Sequence, residues 1–292
     1  MTILNVGSVN RDRVLRVPHF PQPGETLQAL SASVGLGGKG LNQSVAILRA
    51  GGSVRHVGAV GEGDAGIREA LRALGLDLGF VTGVAGVETG SATIFVDPEG
   101  ENLIVLDPGA NLCIPDALVA RAVADATPGD WLLFQNETNQ AAGCARLARA
   151  RGLKVACSAA PFVASRIVPL LEDVDLLSVN AVELDQLLAA LGGTDHLPAG
   201  LALLVTRGAE GAEYRHGDRR VRVDSRRVPV VDTTGAGDVF LGVFLAETDL
   251  GRPVEEAMRR ANAAAALQVG RNGAVEVIPL AGEIDGLLDA AP

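Results

Sequence analysis

Short apolar runs alternate with helical patterns along most of this chain. The runs at 3–7, 54–60, 131–135, 153–157, 174–179 and 201–205 have the length and near-continuous hydrophobicity of strands buried on both faces. Between them, apolar positions recur at helical spacing over about 40–50, 64–74, 139–150 and 181–191. Alternation of this kind predicts an α/β fold in three layers, a mostly parallel sheet with helices on both faces. Two stretches break the pattern. Residues 14–36 alternate at period two around the turn Pro21-Gln-Pro-Gly24, and residues 90–106 read as two short strands about the turn Asp97-Pro-Glu-Gly100. We expect these pieces to form a small β-sheet lid inserted, from about 14–36 and 90–106, into a single domain spanning 1–292. After 201–205, residues 211–224 predict a meander turning at His216-Gly-Asp218, and helices at 237–248, 253–269 and 281–289 close the chain.

The 292 residues, 48% of them apolar, suffice for a sizeable core and exclude disorder. A net charge of −10 argues against nucleic-acid or anionic-membrane partners. Positive potential must then be concentrated locally, and one of the only two lysines, Lys39, lies inside a glycine cluster; the other is Lys154. Cys113, Cys144 and Cys157 are odd in number and lack metal-like spacing, so they read as reduced core thiols. The chain enters its first strand without a basic or long apolar leader, and no window holds 18 uninterrupted apolar residues. A cytoplasmic location is expected.

Chemistry concentrates in Asp232-Thr-Thr-Gly-Ala-Gly-Asp238, which runs into the apolar stretch Val239 to Ala246. The small residues Gly235, Ala236 and Gly237 ahead of a helix leave backbone N–H groups open to an anion. Asp238 at the edge of that hole can take a proton from a hydroxyl attacking a phosphorus held there. The implied reaction is phosphoryl transfer to an alcohol; the plainer reading is a glycine turn with Asp238 as an ordinary cap. Other polar residues fall beyond the carboxyl ends of the strands, where open parallel sheets bind ligands. Asn10 and Asp12 follow 3–7, Glu137 follows 131–135, Asn180 and Glu183 follow 174–179, and Thr206 follows 201–205. Singly, they could be turn residues, a neighbour of an N-cap at Thr138, and a capping box.

Asp232 to Asp238 followed by Val-Phe-Leu-Gly, and Gly37-Gly-Lys-Gly-Leu-Asn-Gln43, resemble the C-terminal and N-terminal signatures of the ribokinase-like (PfkB) carbohydrate kinases. The resemblance runs from Gly7-Ser-Val-Asn-Arg-Asp12 to the closing helix and is strongest toward the ribose-phosphorylating members. It implies an ATP-dependent kinase acting with Mg²⁺ on the primary hydroxyl of a pentose. Asn10, Asp12, Gly38, Lys39, Asn42 and Glu137 would hold the sugar. Asn180 and Glu183 would place magnesium and phosphates, while Thr206, Arg207, Gly208, Gly211 and Asn262, with Gly237, would receive the nucleotide. Asp232, the carbonyl of Thr234 and the main chain around Gln268, Arg271 and Gly273 would form a monovalent-cation site, usually for K⁺.

The chain also departs from its relatives. Ser158 stands where Asn is common, Arg207 where a small or aliphatic residue is frequent, and Leu41 where Ala is usual; Thr234-Gly235 replaces an Ile-Ala pair. A nucleoside substrate would favour aromatic residues on the lid, yet the two lid segments offer only Phe20 and Phe95. Deoxyribose and hexoses remain alternative substrates, and a sugar-binding regulator without catalysis is the alternative from another class. Ile94, Val96, Leu103 and Val105 are expected to leave an apolar lid surface covered by a second copy, which makes a homodimer.

Overall fold

Strand β1 (Ile3–Val6) leads at once into β2 (Asn10–Arg16), which pairs with β3 (Ser31–Gly37) before helix α1 (Lys39–Arg49) begins. The computed structural model describes residues 1–290. Then come β4 (Val54–Gly61), α2 (Ala65–Ala73), β5 (Val81–Val84) and the hairpin of β6 (Gly90–Val96) and β7 (Asn102–Asp107). Helix α3 (Asp116–Ala124) precedes three strand–helix units. These are β8 (Trp131–Gln135) with α4 (Ala141–Ala150), β9 (Lys154–Ser158) with the short α5 (Ala164–Ile167), and β10 (Leu176–Asn180) with α6 (Ala181–Leu191). The meander β11 (Ala202–Thr206), β12 (Ala212–His216) and β13 (Arg219–Val223) is followed by α7 (Ala236–Asp249), α8 (Val254–Val269) and α9 (Ala281–Asp289).

The main sheet has the order β13-β12-β11-β10-β9-β8-β1-β4-β5, parallel from β11 to β5 and antiparallel in the closing meander. Its strands read as continuous apolar runs because successive residues serve opposite cores. On β1 and β8, Ile3 and Leu133 face a core shared with α1, α7, α8 and α9, while Leu4, Leu132 and Phe134 face one shared with α3, α4 and α6. Helix α7 is apolar almost all round, with Val239, Phe240, Leu241, Val243, Phe244 and Leu245 all buried. Each large side chain so buried contributes roughly 1.5–3 kcal/mol. Gly242 brings α7 close to α1, since a Cβ there would stand 2.8 Å from the Gln43 carbonyl oxygen. The two helices thereby fix each other's N-terminal ends.

The second sheet, ordered β3-β2-β6-β7, is mixed: β2 lies antiparallel to β3 but parallel to β6. It begins four residues earlier than the alternation at 14–36 implies. Asn10 and Asp12 are buried on β2 while Arg11 and Arg13 point out, so the strand's inner face is polar and gives no apolar signal. Ile94 corrects another expectation: it is buried, and the exposed apolar side chains of this sheet are Val34, Leu103, Ile104, Val105 and Leu106.

Candidate functional site

In the sheet, β1 lies between β4 and β8, and the chain leaves it for opposite sides of the molecule. A switch of this kind opens a crevice at the carboxyl ends of the strands. The second sheet stands over that crevice because β2 follows β1 directly. At its floor α7 starts from Gly235, whose φ of 72° is a left-handed conformation suited to glycine. No side chain caps this helix; the Ala236 N–H reaches the Thr233 carbonyl at 3.3 Å, and the N–H groups of Gly237 and Asp238 remain for an incoming anion. A Cβ on Gly237 would meet nothing within 4 Å, which leaves the approach clear.

Asp238, one turn in, is buried and held from both sides: Asn42 Nδ2 donates to its Oδ2 at 3.1 Å and Gln43 Nε2 to its Oδ1 at 2.8 Å. Gln43 is the end of a buried chain of polar groups. Gln135 Nε2 donates to Gln43 Oε1 (2.7 Å) and to Asn5 Oδ1 (2.8 Å), and Asn5 Nδ2 donates to Ser44 Oγ (2.9 Å). Ser44 Oγ stands 2.9 Å from Nδ1 of His56. Burial pushes that imidazole down to about 4, so it is neutral at physiological pH.

Around the mouth, Glu137 accepts from Ser8 Oγ (2.5 Å) and from the Lys39 N–H (3.3 Å), and burial raises its pKa. The carboxylate of Asp238, with smaller contributions from Glu137, Glu183 and Asp12, holds the Lys39 ammonium above its ordinary range. Asn10 Oδ1 accepts from Asn111 Nδ2 at 2.7 Å. Asp12 is buried with Oδ1 unpartnered; burial, then the charges of Glu137 and Glu276, push its carboxyl from 3.8 up to about 7. A side chain on Gly37 would strike that carboxylate, and Gly38 turns the chain into α1 with φ 96°.

A cavity of about 240 Å³ joins these groups to the second half of the chain. It is lined by Lys39, Ser158, Ser178, Asn180, Glu183, Thr206, Thr233 and Gly235 to Asp238, among others. Asn180 and Glu183 form the reciprocal capping box of α6, at 2.8 Å in each direction. The same two residues also line the cavity. Arg207, Gly208, Gly211 and Asn262 lie outside the cavity. Arg207 approaches Glu213 at 3.7 Å, Gly211 is pressed against Val223, and Asn262 Nδ2 donates to the Asp224 carbonyl at 2.8 Å. A larger cleft of about 410 Å³ beside α4, with Asp116 and Arg146, holds no buried carboxylate.

The five residues of the expected cation site are also neighbours. Asp232 accepts from the Thr234 N–H (2.9 Å) and the Gly273 N–H (3.3 Å), and the Arg271 N–H reaches the Gln268 carbonyl at 3.0 Å. The side chain of Gln268, beyond its main chain, enters the site: Nε2 donates to the carbonyls of Thr234 (3.3 Å), Gly273 (3.3 Å) and Ala274 (3.0 Å). Ser8, Gln43, Asn111 and Gln135 were not singled out from sequence. The available signal was the run Asn42-Gln43-Ser44, polar and adjacent in a helix that is otherwise buried.

An open helix start over a buried carboxylate, in a three-layer α/β fold roofed by a small sheet, defines a carbohydrate kinase. Residues 2–281 match the pfkB family carbohydrate kinases, and the chain belongs to that family. It is 33% identical to a ribokinase from Haemophilus influenzae over 95% of each chain. Among solved structures, it is similar to ribokinase from Cryptococcus neoformans in complex with ADP (TM-score 0.87, 28% identity, 98% of each chain). It is likewise similar to Arabidopsis thaliana ribokinase complexed with ribose and ATP (TM-score 0.84, 28% identity, 99% of this chain and 98% of that one).

Proposed function

We propose that this kinase transfers the γ-phosphoryl group of ATP to the primary hydroxyl of D-ribose, giving D-ribose 5-phosphate and ADP. The observation that carries the reading is the position of Asp238: fixed by two amides, beside the open start of α7, at the junction of the polar pocket and the 240 Å³ cavity. Similarity to ribokinases, one of them described with ribose and ATP, supports the choice of sugar and nucleotide.

In this mechanism Asn10, Asp12, Glu137 and Asn42, with Lys39 and the Gly38 backbone, engage the sugar hydroxyls. Carboxylates and amides in close array suit groups that both donate and accept. The attacking oxygen approaches phosphorus as Asp238 accepts its proton, and the bond from phosphorus to the ADP oxygen breaks. Backbone N–H groups from Gly235 to Asp238 take up charge on the transferring group, and the Lys39 ammonium adds to that field. Thr206, Arg207, Gly208, Gly211 and Asn262 are assigned to the nucleotide, the last two on its base side.

Mg²⁺ would supply neutralisation of phosphate charge when bound. Glu183 fits that ion, because its Oε2 is committed to the cap and its second oxygen is left for a water of the hydrated metal. The K⁺ suggested by the resemblance does not fit the residues present. Of the carbonyls it would use, those of Thr234 and Gly273 already accept from the Gln268 side chain and that of Gln268 from the Arg271 N–H, so no step is routed through it. The second sheet acts as a lid that excludes water from the transfer, and its exposed strand β7 pairs two copies. No helix among the described residues is long and apolar enough to cross a membrane, and the kinase is assigned to the cytoplasm.

A coupled assay of ADP release over ribose, deoxyribose, hexoses and nucleosides tests the reading. Highest kcat/KM with ribose is expected; a nucleoside or hexose preferred by tenfold or more would overturn it.

A further inference from the structure

Three main-chain carbonyls, of Thr234, Gly273 and Ala274, converge on a single point beneath the first turn of α7. Converging carbonyl dipoles need a positive partner, either a cation or N–H donors. Here the partner is the Nε2 amide of Gln268, which is fully buried. Of the carboxylates nearby, Asp232 already accepts from the N–H groups of Thr234 and Gly273, and Glu276, beside Gly273, accepts from the Leu36 N–H. The Nε2 amide shares its two hydrogens among these three carbonyls, and the acceptor left without a partner in the cluster is the amide's own Oε1.

The position of the amide matters for catalysis because it braces the loop that ends in Gly235. Gln268 Nε2 holds the Thr234 carbonyl directly, and a Cβ added to Gly235 would lie 3.9 Å from it. The other end of the side chain is informative too. Gln268 Oε1 is buried without a partner, an arrangement that is destabilising and that an apolar residue of equal size would avoid. Against that cost stand the contacts its nitrogen makes.

We infer that Gln268 is a positioning residue, a tethered and neutral substitute for a monovalent cation: its amide organises the anion hole, and the kinase works without K⁺ or any comparable ion. The inference rests on the kinase reading for its catalytic consequence but not for its structural one. It runs against the cation dependence that the sequence resemblance implies.

The test compares the full-length protein with Gln268→Ala and the volume-preserving Gln268→Met, each in KCl and in tetramethylammonium chloride at equal ionic strength. Thermal melting without substrates is read first. The wild type should melt at the same temperature in both salts, whereas the variants, with carbonyls freed, should gain several degrees in KCl alone. Turnover is read next. Wild-type kcat should be indifferent to the salt, and the variants should lose about tenfold or more in tetramethylammonium and recover in KCl, with the KM for ribose little changed. A K⁺-specific rise in wild-type melting temperature or kcat overturns the inference, as does a folded variant that does not respond to K⁺. Should neither variant fold, the wild-type arm still decides. Should no sugar be phosphorylated, the kinase reading fails while the melting data continue to judge Gln268.

Discussion

Gln43 donates from Nε2 to Oδ1 of Asp238 at 2.8 Å, across the seam where α1 meets α7. Two residues far apart in sequence, each in one of the chain's two glycine-rich signatures, thus meet in a single hydrogen bond. The bond aims the carboxylate: with Asn42 on the other oxygen, the plane of the group is fixed by α1 and its height by α7. Replacing Gln43 with Leu should lower kcat about tenfold while leaving both KM values within about twofold, the signature of a lost positioning contact. Steady-state kinetics against ribose and ATP separate these effects, and a change confined to KM would speak against the role.

On the proposed mechanism, Asp238→Asn removes the proton acceptor and keeps the shape. The expected loss in kcat is roughly 10²-fold or more, the usual contribution of a positioned base, with ribose binding retained by calorimetry. Near-normal turnover would remove Asp238 from the mechanism.

With Asp12 in the proposed sugar pocket, substrate affinity should depend on pH. Its carboxyl, pushed up to about 7 by burial, accepts sugar hydroxyls best as the anion, so kcat/KM for ribose should rise with pH through about 7. Asp12→Asn should flatten that rise, and Asp12→Ala should raise the KM for ribose far more than that for ATP. Stability moves the opposite way. The folded state binds this proton more tightly than the unfolded one, so the contribution is complete below about 4 and is lost as pH climbs toward 7. At pH 8 and without ligand, Asp12→Asn should therefore melt above the wild type. Calorimetry at pH 5 and 8 checks the sign.

The exposed apolar face of β7 gives a prediction about assembly. Leu103, Ile104, Val105 and Leu106 are all 42–57% exposed, which is unusual for four successive apolar side chains. Val105→Asp should convert a dimer of two 30 kDa chains into monomers in sedimentation at micromolar concentration. A wild-type protein that already sediments as a monomer with full activity would refute pairing through the lid.

The strands of the main sheet were legible because burial on both faces writes them as unbroken apolar text. β2 was placed late for the opposite reason: its inward residues, Asn10 and Asp12, face a polar crevice and leave no hydrophobic period. β5 has only four residues at the sheet edge, and α3 is a short helix rich in alanine, so neither produced a pattern strong enough to notice. At the site, glycine spacing revealed Gly235 to Asp238 and Gly37 to Asn42, since backbone approach to an anion or a sugar restricts residue type locally. Gln43, Gln135, Ser8 and Asn111 carry no such local restriction. Their partners come from other strands and helices, and only the fold assembles them. Gln268 reads as one polar residue near the end of α8, and nothing near it in sequence says that its amide is buried among carbonyls.

The buried chain from His56 through Ser44, Asn5, Gln135 and Gln43 to Asp238 also determines where a proton can go. Three of its links are carboxamides, which donate from nitrogen and accept on oxygen but do not hand a proton from one to the other. His56, held near 4, is no reservoir at neutral pH. The interior of the protein is in this sense an insulator behind Asp238. On the proposed mechanism, a proton taken from the sugar leaves on the open side of Asp238, through the crevice or the cavity it lines, and not through the protein behind it.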